Sequence, residues 1–260
     1  MSRISQIYTT EIYRNLKPLY ANWEPSRPVA LGDYGVLTDR IFIRLGNISQ
    51  LGVNFGQIQD ARLSQKNFTS AGSSSVKSHA KGTVPTGTGV NAKAYLEVNF
   101  SSERSVFFNA AGCRYAMIDN KVALGDAVTA LYRASKWQRG WCVVTDLVEA
   151  ASLSLAVSSS SSSSITFEAE GDVPYIDLAD ASIGLKVTNA SGIGYNVASD
   201  HGCTPLFGLC RIRPRFLWFS DDFRPLEIGA ENFDVLQTLE NTPDFRTEGS
   251  DAELVFAQVD

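Results

Sequence analysis

Three arginines at alternate positions, Arg211, Arg213 and Arg215, are the most pointed chemical feature of the sequence. On an extended strand residues two apart share a face. Three guanidinium forks in a row then suit phosphate oxygens. A second set of cations, Arg3, Arg14 and Lys17, falls where Ile4, Tyr8, Ile12, Leu16 and Leu19 recur at steps of three to four. That spacing predicts an amphipathic helix over 2–20, capped by Ser2 and ended at Lys17 by Pro18. A basic amphipathic helix can lie on an anionic bilayer, where each basic residue is worth about 1 kcal/mol. The same residues also suit an ordinary surface helix packed on a sheet, and the arginines also suit ion pairs with acids of the chain.

Those acids are concentrated at one end. Residues 219–260 hold eleven carboxylates, Asp221, Asp222, Glu227, Glu231 and Asp234 among them, against Arg224 and Arg246. This stretch is net −9, so residues 1–218 carry +4 within a chain of formal charge −5. The split predicts a basic body, 1–218, and an acidic C-terminal tail, 219–260, that either covers a basic surface of the body or is simply solvated.

Other chemistry finds little footing. With only two histidines, His79 and His201, and no nucleophile elbow, phosphate loop or paired-histidine zinc motif, the sequence argues against an enzyme. Asp200-His201-Gly202-Cys203 offers too few ligands for zinc, and no cofactor or metal is expected. Cys113, Cys142, Cys203 and Cys210 are isolated and read as reduced packing residues. A body of only +4, without interleaved aromatics, argues against nucleic acid. No apolar run reaches 18 residues and the first stretch lacks a cleavable leader pattern, so a cytoplasmic resting protein is expected.

The elements that must position these groups read as α+β. The 260 residues can bury a full core. Strand patterns are expected at Val29–Leu31, from Val36 and at Arg40–Leu45, with a turn at Gly32-Asp33-Tyr34-Gly35. Residues 56–91 hold little apolar surface and include the Ser/Gly/Thr stretches 70–75 and 82–89. Ala92, Ala94, Leu96, Val98 and Phe100 then alternate with polar residues, the mark of a half-buried strand. A second helix is expected over 125–137, a long strand from Trp141 through Val157, and short strands at 165–169, 183–188, 193–198 and 205–213. Seven serines, 158–164, separate two strand patterns. Alternating strands beside small polar stretches are typical of membrane β-hairpins and equally of antiparallel sandwiches.

The order of segments over about residues 55–215 resembles the pore-forming portion of the gasdermin family. Trp137-Gln-Arg-Gly-Trp-Cys-Val-Val-Thr-Asp-Leu-Val148 is similar to the helix-then-strand that opens the second membrane hairpin of that family. Leu185–Thr188 and Thr204–Ile212 resemble its returning strands, and the segment 70–100 sits where a first hairpin falls. Bacterial members often carry an acylated cysteine near the N-terminus, whereas the first cysteine here is Cys113, and Trp23–Phe55 has no counterpart. The resemblance implies a gasdermin-like fold, a twisted, mostly antiparallel sheet with an N-terminal amphipathic helix and one internal helix. It implies a resting monomer freed by an activating protease that removes the tail. The body then binds anionic lipids of the inner membrane, oligomerises into a β-barrel pore and kills the cell. The alternatives are a non-pore β-rich structural or assembly protein with an acidic arm, and a small-molecule-binding or hydrolytic domain anchored on His201.

Overall fold

The computed structural model describes residues 3–70, 73–86, 89–171, 173–199, 201–214 and 254–259. Met1–Ile212 with Phe256–Asp260 make one compact unit; of the second, Arg213–Val255, only 213–214 and 254–255 are described. The fold is α+β and mostly antiparallel, with one N-terminal and one internal helix.

Helix α1 (Arg3–Leu16) buries Tyr8 and Ile12 of the expected stripe, with Ile4 and Leu16 packed half-buried beside them, and it also buries Ser5, Thr9 and Tyr13. It stops one residue earlier than Pro18 alone requires. Helix α2 (Lys121–Arg133) begins four residues before the expected Gly125, because the Asn120 side chain caps it by accepting from the Ala123 N–H at 2.9 Å.

The strands are β1 (Tyr20–Ala21), β2 (Asp33–Thr38), β3 (Ile41–Asn47), β4 (Gln57–Gln59), β5 (Ser64–Thr69), β6 (Ser73–Thr86), β7 (Gly89–Phe100) and β8 (Val106–Ile118). They continue as β9 (Trp141–Ala150), β10 (Ser152–Ser158), β11 (Ser163–Ala169), β12 (Leu185–Ser191), β13 (Ile193–Ser199), β14 (Cys203–Pro214) and β15 (Leu254–Gln258). An eleven-stranded sheet runs β1-β14-β9-β8-β10-β13, with β15 on β14, β2 joining β3 to β9, and β4 and β5 on the other edge of β8. A four-stranded sheet runs β12-β11-β7-β6.

Several expectations give way to tertiary pairing. Val29–Leu31 is not a strand: the Ala30 N–H donates to Asp33 Oδ2 at 3.0 Å and closes a turn just before β2. The Ser/Gly/Thr region 70–89 supplies β6, paired along β7 from Ser73↔Phe100 to Thr86↔Gly89. The expected long strand 141–157 divides at Ala151. There Gly112 of β8, at φ +62, lets the chains approach, since a Cβ on it would meet the Ala151 and Ala181 methyls at 2.9 Å. The serine run is an ordered corner rather than a loose tip. Ser158 and Ser163 are buried; the Ser158 hydroxyl donates to Ser102 O at 2.8 Å, and that of Ser163 to Gly192 O at 2.7 Å.

Two apolar layers result. Tyr8 and Ile12 of α1 pack on Val106, Phe108 and Ala110 of β8 and Leu153, Leu155 and Val157 of β10. On the opposite face Phe107 and Ala156 meet Leu96, Val98 and Phe100 of β7 and Ile165, Phe167 and Ala169 of β11. The alternation predicted for 92–100 is thus seen from Ala94 onward, with Ala94, Leu96, Val98 and Phe100 all buried. Each such large side chain contributes about 1.5–3 kcal/mol by leaving water.

Candidate functional site

Where α1 ends, four rings form a row. Tyr13 faces Tyr20 at 4.7 Å between centroids, Tyr20 stacks on Phe207 at 6.2 Å, and Phe42 lies 5.6 Å from Phe207. The register produces this: β1 sets Tyr20 directly opposite Phe207 of β14. Burial, and then neighbouring Tyr13, push the Tyr20 phenol far above its ordinary range, so it stays protonated.

Cations gather around this row. Lys17 Nζ and Arg40 Cζ each lie 5.3 Å from the centroid of the Tyr13 ring. Such contacts contribute about 0.5–1 kcal/mol at exposed sites. Arg40 reaches the ring from a tight turn between β2 and β3 in which Asp39 and Arg40 both have positive φ, 51° and 60°. The turn is tied to α1, whose Gln6 side chain donates to Asp39 Oδ2 at 3.0 Å. The charges of Arg211 and Arg40 both act on Tyr20, drawing its phenol downward against the burial. Lys17 and Arg40 therefore converge on one aromatic row, with the charge of Arg211 near enough to act on its Tyr20, a positive patch with apolar backing.

The other predicted contacts are dispersed. Arg3 lies at the far end of α1, about 16 Å from Arg14 at 1.5 Å per residue, and stands 3.8 Å from Glu103. Arg14 pairs with Glu11 at 3.0 Å. Exposed pairs of this kind add about 0–1 kcal/mol. Arg213 is half-buried one step beyond buried Ile212, as is Arg211, so β14 does not present a free comb of guanidinium groups. Arg215 and the tail acids Asp221, Asp222, Glu227, Glu231 and Asp234 lie outside the described residues. Arg40 was not anticipated from sequence; the only signal was Asp39-Arg40 between two strand patterns.

The end of the acidic stretch returns to the body. Strand β15 pairs with β14 on the edge that β1 leaves open, the Val259 N–H donates to Leu209 O at 2.8 Å, and Val259 is buried. Phe256 sits against Gly125 of α2 so closely that a Cβ there would come within 2.5 Å of it. A glycine in mid-helix costs up to about 1 kcal/mol relative to alanine, and here it makes room for the last strand.

Among the described residues, no three His, Cys, Asp or Glu side chains stand close enough to share a metal ion. His201 is exposed, and its carbonyl accepts from the Ser199 hydroxyl at 3.0 Å. All four cysteines are buried free thiols; burial pushes Cys142 up to about 12 and Cys203 up to about 11, far from a reactive thiolate at neutral pH. No described helix is long and apolar enough to cross a membrane.

The site and fold together define a β-rich protein with a docked C-terminal strand and a basic aromatic patch. No protein-family model matches the sequence, and no curated protein compared with it matches either.

Proposed function

We propose that the chain is a latent pore-forming protein, held inactive by its C-terminal segment and released by proteolysis to oligomerise on an anionic membrane. The observation that carries this reading is β15: a strand separated from the body by a long acidic stretch occupies a sheet edge and buries Val259. An edge strand presents unpaired backbone groups that readily accept another chain, so its removal leaves β14 open to pairing. A second support is the ribbon at the end of β6 and β7. β11 pairs with β7 only over Tyr95–Phe100, so beyond that point the two strands pair with each other alone among the described residues. Only closed barrels satisfy all backbone groups of strands in lipid, which makes assembly of many copies the necessary end state. Lys17, Arg40 and Arg211 supply the first contact with anionic headgroups.

Residues 1–218 and the full chain, compared for dye release from vesicles containing anionic lipid, test this directly. Leakage by the shorter form alone is the expected result. Absence of leakage, with soluble homo-oligomers in its place, would favour the assembly-protein alternative.

A further inference from the structure

Beside the C-terminal end of α1 lies a cleft of about 410 Å3, within the roughly 300–1,000 Å3 usual for small-molecule sites. Its walls include Leu16, Leu19, Tyr115 and Met117, and its charged groups are Lys17, Lys66 and Asp146. The carboxylate is already satisfied. Lys121 Nζ donates to both Asp146 oxygens at 2.8 and 2.7 Å, and the Thr145 hydroxyl donates to one of them at 2.8 Å. The two lining lysines are different. Neither has a carboxylate within 4 Å among the described residues; Lys17 lies over Tyr13, and Lys66 lies 5.3 Å above the Tyr115 ring. Three ammonium groups thus meet one carboxylate, and the surplus charge borders an apolar wall.

We infer that this cleft is a binding site for an organic anion with an apolar body. Its phosphate or carboxylate lies between Lys17 and Lys66, and its apolar part lies against Leu16, Leu19, Tyr115 and Met117. An ammonium is a strong partner for phosphate oxygens. The half-apolar lining discriminates against a bare inorganic ion, because such an ion leaves those walls uncovered. The assignment concerns the intact chain and does not depend on pore formation; a chain that never leaks vesicles would still bind the anion.

The test is titration of the full chain with octyl phosphate, inorganic phosphate and octyl glucoside, followed by calorimetry. Octyl phosphate is expected to bind saturably at one site. Inorganic phosphate and octyl glucoside are each expected to bind at least about tenfold more weakly, since each lacks one half of the interaction. A K17Q/K66Q double variant should lose at least about tenfold in affinity for octyl phosphate, and K17R/K66R should recover most of it. Both lysines are at least partly exposed, so thermal melting is expected to show these variants folded. Equal binding of octyl phosphate by the glutamine variant, or equal binding of octyl glucoside by the native chain, overturns the assignment. Vesicles containing phosphatidate identify the source: capture that depends on both lysines makes the anion a lipid headgroup, whereas binding of soluble octyl phosphate alone makes it a free metabolite. Failure of both overturns the site, independently of any leakage result.

Discussion

The two sheets are built from similar strands yet are held in different ways. The large sheet is covered on both faces, by α1 on one side and by the small sheet on the other. Its central strand β8 is also paired along both edges, with β4 and β5 on one and β9 and β10 on the other. In the small sheet the described apolar side chains of β7 and β11 face the large sheet, whereas Thr166, Tyr95 and Lys186 look outward, and among the described residues the ends of β6 and β7 pair only with each other. An isolated two-stranded ribbon is marginal in water. Opening free energy should therefore fall from β8 toward the ribbon, and any rearrangement that leaves the body folded begins at the small sheet.

The strongest way to break this comparison is to fuse the two halves of the small sheet. Ser164 of β11 is the register partner of Asn99 of β7, and cysteines at both positions are within reach of a disulfide. In residues 1–218 the oxidised S164C/N99C variant is expected to leave vesicles intact and to leak once reduced. Leakage unaffected by oxidation would mean that β7 and β11 never separate, and the small sheet would not be the part that moves.

A pair of core truncations sharpens the same contrast. Phe108 and Phe167 are both fully buried, one under α1 and the other between the sheets. Phe108→Ala is expected to cost about 3–5 kcal/mol and to accelerate hydrogen exchange throughout the body. Phe167→Ala removes a similar side chain, but its effect on exchange should concentrate in β6, β7, β11 and β12. Uniform exchange in both variants would make the body one cooperative unit and erase the difference between the sheets.

How much of this could be read in advance follows the same division. The stripe of α1 and the face Ala94–Phe100 were legible, because local periodicity and burial agree there. Strand β6 was not legible. Its Ser/Gly/Thr sequence has no apolar period, and it is a strand only because β7 supplies the partner. Nor does a run of identical serines reveal that Ser158 and Ser163 are buried by hydrogen bonds to Ser102 and Gly192. Of the candidate site, Lys17 was found through its helix and Arg211 through its alternation. Arg40 and Lys66 were missed because their ring partners, Tyr13 and Tyr115, lie far away in sequence.

A smaller effect tests the side covered by α1. The Tyr8 hydroxyl is fully buried without a hydrogen-bond partner among the described residues, in the middle of the packing between α1 and β8. An unsatisfied buried donor costs about 1–3 kcal/mol, so Tyr8→Phe should raise stability by about 1 kcal/mol, measured by denaturant unfolding. A loss of stability would show that the hydroxyl is satisfied and that this interface is less dry than the packing indicates.

The smallest expected effect lies on the outer face of the small sheet. Glu168 of β11 accepts from Lys93 of β7 at 2.9 Å and lies 3.4 Å from Lys186 of β12, tying three strands together. The Lys93 hydrogen bond, more than the charge of Lys186, holds the carboxyl below its ordinary value of about 4.5. A carboxyl depressed by folding stabilises the protein above its unfolded value, and that contribution fades as pH falls through the folded one. Native thermal stability should therefore decline as pH drops below about 4.5. Glu168→Gln should flatten that part of the decline and lower stability at neutral pH, where Lys93 and Lys186 are left facing each other. The two melting curves are expected to converge in acid. If they run parallel instead, Glu168 is solvated in both states, and the outer face of the small sheet contributes nothing to holding β7, β11 and β12 together.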